Sequence, residues 1–389
     1  MERSVPSGLW GIGLAIVLVA CGVLIFFGWD MESDTSDTLL AAAILLACFC
    51  GFLGQQGSSP GSDDVGPILL LGGLGLGAVI GVEPINQIFL IGLLAYAGFF
   101  LARYLVASLQ KTLALVHLSL ALIVGVLVVF MEEDGDTVGR LFLSLTLIPL
   151  VPLHLPFLGI VRSSRESLGS VWLVVWLAAG LSQLQDLESM LHVKWMGMLP
   201  VMALVSAVYA CLNAMGHHLP REGIAYGAVT LLALLWGMSE TFPHMAEWGP
   251  SFGMAVALLM SALLCSYAFL HERFGAHNLT TLQGLGSGLP RFRGVFTFLI
   301  SLIMLLPVLP VVGGFRTIPP HSPEAHSQFP VWLLLFTVWL SVSWVFTTML
   351  HQTAFGNPRV DVPHRDLSSY ELWSLFLLMG MASVCGTLA

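Results

Sequence analysis

In this 389-residue chain the residue best placed to do chemistry is a histidine set among prolines. His154 stands in Ile148-Pro149-Leu150-Val151-Pro152-Leu153-His154-Leu155-Pro156, inside an apolar stretch that runs over 138–161. Proline within a helix removes a backbone N–H and frees carbonyls that lipid has no means to satisfy. Leu306-Pro307-Val308-Leu309-Pro310-Val311-Val312-Gly313-Gly314 repeats the pattern, and both stretches contain L/I-P-x-x-P. Helix breaks at Pro149 and Pro152, and again at Pro307 and Pro310, are expected only where the backbone is buried in protein or lines a wet cavity. An ionisable side chain at such depth is costly unless hydrated or paired, which makes His154 a candidate for a proton path. A neutral imidazole hydrogen-bonded to the carbonyls freed by Pro152 and Pro156 is an equal alternative.

Two further titratable residues are candidates for the same path. His117 lies six residues, or roughly 9 Å, from the near end of its apolar stretch, where packing or snorkelling competes with proton transfer. Glu240 ends one stretch on the side where Arg140 begins another, and an anchoring pair at the surface is the simpler reading than a gate.

The elements that must position these groups are membrane spans. The chain is 57% hydrophobic and 10% charged, with a mean hydropathy of +0.88. A soluble globular fold is excluded, since such domains carry roughly 25% charged residues. Thirteen apolar segments follow one another, at about 8–29, 38–54, 66–82, 85–109, 112–131, 138–161, 168–185, 195–214, 224–242, 252–270, 292–313, 329–351 and 368–388. Most approach the roughly 20 residues that a helix needs to cross a hydrocarbon layer of about 30 Å. The expected fold is all-α: a polytopic bundle of about thirteen helices. The two broken segments are five apart, so they run in opposite directions, as in inverted repeats whose interrupted helices mark an ion or substrate path. A pair of packing kinks is the alternative.

Loop charge tests the count. With the N-terminus in the cytoplasm, Arg3, Arg103, Lys111, Arg162, Arg165, Arg221, Arg273, Arg291, Arg293, Arg359 and Arg365 fall inside. Only Arg140, Lys194 and Arg316 fall outside, a split of 11 to 3. The outer loops are acidic, as in Asp30-Met31-Glu32-Ser33-Asp34 and Glu132-Glu133-Asp134-Gly135-Asp136. A net charge of −9 and the lack of a basic run speak against nucleic acid as a partner.

Short loops leave no room for a nucleotide-binding or catalytic domain, and no nucleophile–base set or metal spacing can be assembled from them. Intrinsic catalysis and a bound cofactor are therefore not expected. All six cysteines, Cys21, Cys48, Cys50, Cys211, Cys265 and Cys385, lie in apolar stretches, where thiols act as small hydrophobes. Leu18 to Gly22 reads LVACG, like a lipoprotein cleavage site, but the apolar run continues to Phe27, longer than a signal segment. The glycine-rich stretch Gly72 to Gly81 lies within a span, and close helix packing through Gly73, Gly77 and Gly81 explains it better than a phosphate loop.

The broken segments also carry a family resemblance. LIPLVPLHLPFLGIV at 147–161, followed by SLGSVWLVVWLAAG at 167–180, is similar to the antiporter-like subunits of respiratory complex I and of Mrp-type cation/proton antiporters. FLHERFGAHNLTTLQGLGSGLPRFRGVFTF at 269–298, running into LPVLPVVGGF at 306–315, resembles subunit M of bacterial NADH:quinone oxidoreductase. The likeness covers about 138–388 and fades before 110, which divides the chain into diverged N-terminal helices (1–110) and an antiporter-like core (111–388). It implies a multi-pass protein of the bacterial cytoplasmic membrane, partnered by other membrane subunits, with NADH and quinone met only through the complex.

Departures from the family are as informative as the match. The resemblance places proton-carrying lysines, a histidine and a lysine or glutamate at positions that here read Leu147, Ala179, Leu231 and Gly314. His154 alone of the central titrating groups survives, in the P-L-H element. A gap of about 30 Å cannot be bridged by one histidine, so autonomous pumping is disfavoured. The expected function is a membrane-arm subunit of a complex I-like assembly with a degenerate proton path. The alternatives are the membrane partner of an ion or inorganic-carbon uptake module and a non-conducting scaffold.

Overall fold

The computed structural model describes residues 35–53, 65–130, 133–185, 198–238, 245–275, 278–308, 329–355 and 366–388. The described residues are helices and the turns between them, with no strand. In chain order the helices are α1 (Thr35–Leu53), α2 (Val65–Ile80), α3 (Ile85–Tyr104), α4 (Leu109–Phe130), α5 (Glu133–Leu147), α6 (Leu155–Ser163) and α7 (Glu166–Gln185). They continue as α8 (Leu199–Gly216), α9 (Pro220–Met238), α10 (Met245–Phe274), the single turn α11 (Leu279–Leu282), α12 (Pro290–Leu305), α13 (Phe329–Ala354) and α14 (Ser369–Leu388). Among them nine helices are long and apolar enough to cross a membrane.

The second to thirteenth apolar segments are thus all helical, and the first lies outside the described residues. The segment expected as one span over 138–161 is two helices, α5 and α6, because the prolines between Ile148 and His154 deny the chain a continuous ladder. The second proline pair begins with Pro307, buried in a 3₁₀ turn over Leu306–Val308 that follows α12; Pro310 and Gly314 lie outside the described residues.

Two helices form the centre. Residues 167–184 of α7 and 249–270 of α10 are buried throughout. They pack against each other, with α1 lying on both and α14 on α10. The outer helices are apolar on both sides and sorted by size. On α4 the buried face is Ala114, Leu118, Ala121, Gly125 and Val128, while Leu113, Val116, Leu120, Ile123, Leu127 and Phe130 face outward. On α8 the buried face carries Ala203, Ala207, Ala210 and Ala214, and Val201, Val205, Val208 and Leu212 point away. Lipid supplies no hydrophobic force between helices, so small residues at three- and four-residue spacing give the close approach that dispersion needs. Gly237 of α9 is an instance: a Cβ there would meet Leu334 Cδ2 of α13 at 1.9 Å.

The glycine-rich helix α2 packs in part through the glycines its four-residue spacing suggested and in part through two others. A Cβ on Gly72 would meet Cys48 Sγ at 2.8 Å and one on Gly75 would meet Val175 Cγ1 at 2.7 Å, whereas Gly73 faces open space. Gly77 does pack tightly, against Phe89, and Gly81 closes the turn into α3. Helix α2 touches α1, α3 and α7 together, so no single stripe serves all three.

Hydrogen bonds gather the basic turns at one end of the bundle. Arg162 donates to Gln110, Arg221 to the Ser164 carbonyl, Leu279 N–H to the His218 carbonyl, Gly284 N–H to the Gln352 carbonyl, and Arg291 N–H to Asp366. Of the nine described lysines and arginines, eight lie at this basic face; Arg140 lies at the other end. The turns that loop charge sorted together are therefore physically together.

Candidate functional site

The site begins where α5 stops. Breaking the helix orphans backbone groups near Ile148 and Val151, and burial forbids leaving them unpaired. Neighbouring helices supply the partners: Trp236 Nε1 of α9 donates to the Ile148 carbonyl at 3.2 Å, and Val151 N–H donates to Ser206 Oγ of α8 at 2.9 Å. Each such bond is worth about 0.5–2 kcal/mol in a bilayer, and together they make the break a fixed feature of the fold.

His154 is the last residue of the break and caps α6. Its side chain is 3% exposed and neither ring nitrogen makes a hydrogen bond to protein. The Pro152 carbonyl is a polar neighbour, but without well-formed hydrogen-bond geometry. The ring meets two phenols: Tyr209 of α8 edge-on, with centroids 5.4 Å apart, and Tyr226 of α9 at 6.4 Å. Tyr209 and Tyr226 themselves meet edge-on, with centroids 6.5 Å apart.

Behind the tyrosines lies a cavity of about 170 Å³, lined by polar and apolar side chains, that reaches the basic face between α6, α8 and α9. Its mouth is a charge cluster. Glu222, 7% exposed, makes ion-pair contacts with Arg162 at 2.8 Å and with His217 Nδ1 at 2.5 Å. Arg162 also holds Gln110 at 3.1 Å, and His217 stacks on Tyr226 with centroids 5.2 Å apart. Glu222 falls in the first turn of α9, where a carboxylate is favoured by the helix dipole.

The other expected site residues are placed as follows. His117 of α4 is partly buried; its Nε2 lies 3.0 Å from Thr146 Oγ1 at the end of α5, and it stands within electrostatic reach of His154. The two histidines are thus brought to the same break, which residue counting along α4 did not reveal. Glu240 lies outside the described residues. Arg140 forms an ion pair with Glu83 at the start of α3, a pairing the sequence analysis did not anticipate.

Leu147, Ala179 and Leu231, where the resemblance expects charge, are each no more than 1% exposed. Leu147 is wedged against α7, and a Cβ on Gly180 would meet Leu147 Cβ at 2.7 Å. Leu147, Ile148, Leu231 and Trp236 are all fully buried.

The sequence analysis missed Tyr209, Tyr226, His217 and Glu222 as members of one site. The available signal was the short polar link His217-His218-Leu219-Pro220-Arg221-Glu222 between two spans, read only for its charge. Among the described residues no group of three or more metal-ligating side chains occurs.

Nine long apolar helices among the described residues, packed around a buried helix break, define an all-α polytopic membrane protein. No family model matches the chain, and no curated protein matches it. Among solved structures, a chain of respiratory complex I from Thermus thermophilus with bound NADH superposes with a TM-score of 0.71 at 17% identity, covering 91% of this chain and 85% of that one. The same complex with bound Aureothin gives 0.70 at 15%, over 98% and 92%. A chain of the Mrp complex from Dietzia sp. DQ12-45-1b gives 0.65 at 12%, over 91% and 78%. The fold is therefore shared with membrane chains of these two kinds of complex.

Proposed function

We propose that the chain is a membrane subunit of a complex I-like or Mrp-like ion-translocating assembly, that its central proton relay is degenerate, and that it serves through contacts with neighbouring membrane subunits. The observation that carries this reading is the packing at Leu147, Ala179 and Leu231. At each position the fold shared with those complexes is kept and the side chain is apolar and buried. A relay needs titratable groups or ordered water at short intervals. From the basic face the described titratable groups reach His154 and His117; the buried polar groups beyond them, Ser144, Thr146 and the hydrogen-bonded pair Gln87 and Gln183, carry no titratable proton.

In this reading the subunit lies in a bacterial cytoplasmic membrane with its basic face in the cytoplasm, as loop charge requires. Among the candidate assemblies, one related to NADH:quinone oxidoreductase, with this chain in the place of subunit M, is favoured by the 269–315 resemblance. Electron carriers are then bound by other subunits.

The test is purification of the full chain from its native membrane in mild detergent. Co-purification with other multi-pass subunits of an antiporter-like kind is the expected result. A chain that runs alone from native membranes contradicts it, and recovery with one large cytoplasmic zinc protein redirects the assignment to an uptake module.

A further inference from the structure

We infer that the outward face of α4 binds one anionic phospholipid from the leaflet at the basic face, with its phosphate at Lys111 and Ser108 and an acyl chain along the wall from Leu115 to Ile123. The inference goes beyond the proposed function and does not rest on it.

Shape is the first observation. A groove of about 660 Å³ follows α4 on its outer side, within the range of about 300–1,000 Å³ that ligand pockets occupy. Its polar end is Ser108 and Lys111, and Leu115, Val116, Leu120 and Ile123 form the wall beyond. The two hydroxyls on that wall are spent within the helix: Thr112 donates to the Ser108 carbonyl at 3.4 Å and Ser119 to the Leu115 carbonyl at 2.8 Å. From Lys111 to Ile123 the helix rises about 18 Å, at about 1.5 Å per residue. One leaflet supplies about 15 Å of a hydrocarbon layer about 30 Å thick, so the groove runs from headgroup level to the midplane.

Charge is the second. Lys111 Nζ donates to the carbonyls of Ala102 and Leu105, each at 2.8 Å, which ties it to the end of α3. An ammonium has three hydrogens, and both partners are neutral, so one donor and the full positive charge remain for an anion. Ser108 Oγ accepts from Lys111 N–H at 3.2 Å and keeps its own hydrogen to donate. Arg103, exposed in the last turn of α3, adds a second positive charge near the same level. Arg162, the next basic group, is already paired with Glu222. Residues 84–131, which contain α3 and α4, include no Asp or Glu, so neither helix opposes an anion there.

The two observations have one order along the helix: cation at the basic face, then hydrocarbon to the midplane. An anionic phospholipid has the complementary order, and basic groups at headgroup level attract such lipids. A zwitterionic headgroup brings its own cation against Lys111 and Arg103 and is disfavoured.

The experiment uses the full chain, purified in mild detergent and freed of native lipid. Dioleoyl-phosphatidylglycerol and dioleoyl-phosphatidylcholine, identical in their tails, are titrated separately, and binding is read by native mass spectrometry. Phosphatidylglycerol is expected to bind at least fivefold more tightly. That preference is expected to fall at least fivefold in Lys111→Gln and to persist in Arg293→Gln, a control at the basic face outside the groove. Equal affinity for the two lipids overturns the proposal, as does a preference that survives Lys111→Gln or falls equally in both variants. Because Lys111→Gln also frees two carbonyls of α3, Val116→Trp decides should that variant fold poorly. It fills the groove from an exposed position and leaves the lysine in place. A fivefold or greater loss of phosphatidylglycerol binding is expected, and unchanged affinity overturns the proposal. In native membranes, a phosphatidylglycerol with a photoactivatable group in its acyl chain is expected to label residues 107–123. Labelling confined to other segments overturns the site, and so does a cross-link from Leu120→Cys to a protein subunit seated on the groove.

Discussion

Trp236 Nε1 donates its hydrogen bond to the carbonyl of Ile148, 88 residues earlier in the chain, and by doing so holds open the break that positions His154. The carbonyl is orphaned because Pro152, four residues on, has no N–H to give. A buried acceptor left unmet costs about 1–3 kcal/mol. Trp236→Phe is therefore expected to lower the chain's resistance to thermal unfolding in detergent by about that amount, against a smaller loss in a control, Trp344→Phe, at an exposed position. An unchanged unfolding midpoint would remove the account of how the break is held.

Ser206→Ala tests the same break from α8. Val151 N–H loses its acceptor, and the expected loss is about 0.5–2 kcal/mol, typical of a hydrogen bond between membrane helices. Ser206→Thr, which keeps the hydroxyl, is expected to recover most of it. Equal losses in both variants would assign the effect to packing.

At the helix interface, Gly237→Ala is expected to be among the more damaging small substitutions. The added methyl meets Leu334 Cδ2 at 1.9 Å, and overpacking of this kind costs about 1–3 kcal/mol. Gly73→Ala, whose methyl enters open space, is the matched control. Thermal midpoints of the two variants check the pair; a wild-type midpoint in Gly237→Ala would contradict the α9–α13 packing.

The cluster at the cavity mouth predicts an asymmetry. Glu222 is almost wholly buried and holds two partners, whereas the Arg162 side chain is half-exposed. Glu222→Gln is expected to lower stability by about 1–3 kcal/mol, as for bonds to a buried charge. Arg162→Ala is expected to cost less than about 1 kcal/mol, because an exposed pair is screened by solvent. Denaturant titration of both variants at low and high salt checks the order.

The helices were legible because lipid leaves the backbone few choices, and the first break was legible because two prolines three residues apart leave it none. Which turns share a face was legible too: loop charge sorted the turns as their hydrogen bonds do. The site was less so. His154 announced itself by type and depth, but Tyr209 and Tyr226 sit in apolar runs where a phenol reads as one more aromatic. His117 looked shallow by residue counting, yet it sits beside Thr146 because α5 stops at the break. Arg140 finds Glu83 across 57 residues, which no local pattern encodes. Helix packing through Gly72 and Gly75 was hidden because three neighbours compete for one glycine-rich surface.

The central claim, that this fold retains the break but not the relay that would carry protons across the membrane, is tested most directly by proton flux. The purified full chain in sealed vesicles, under an imposed pH gradient and membrane potential, is followed with a pH-sensitive dye. The account predicts a rate no greater than that of protein-free vesicles. A sustained flux from the chain alone that is abolished in His154→Ala would contradict it.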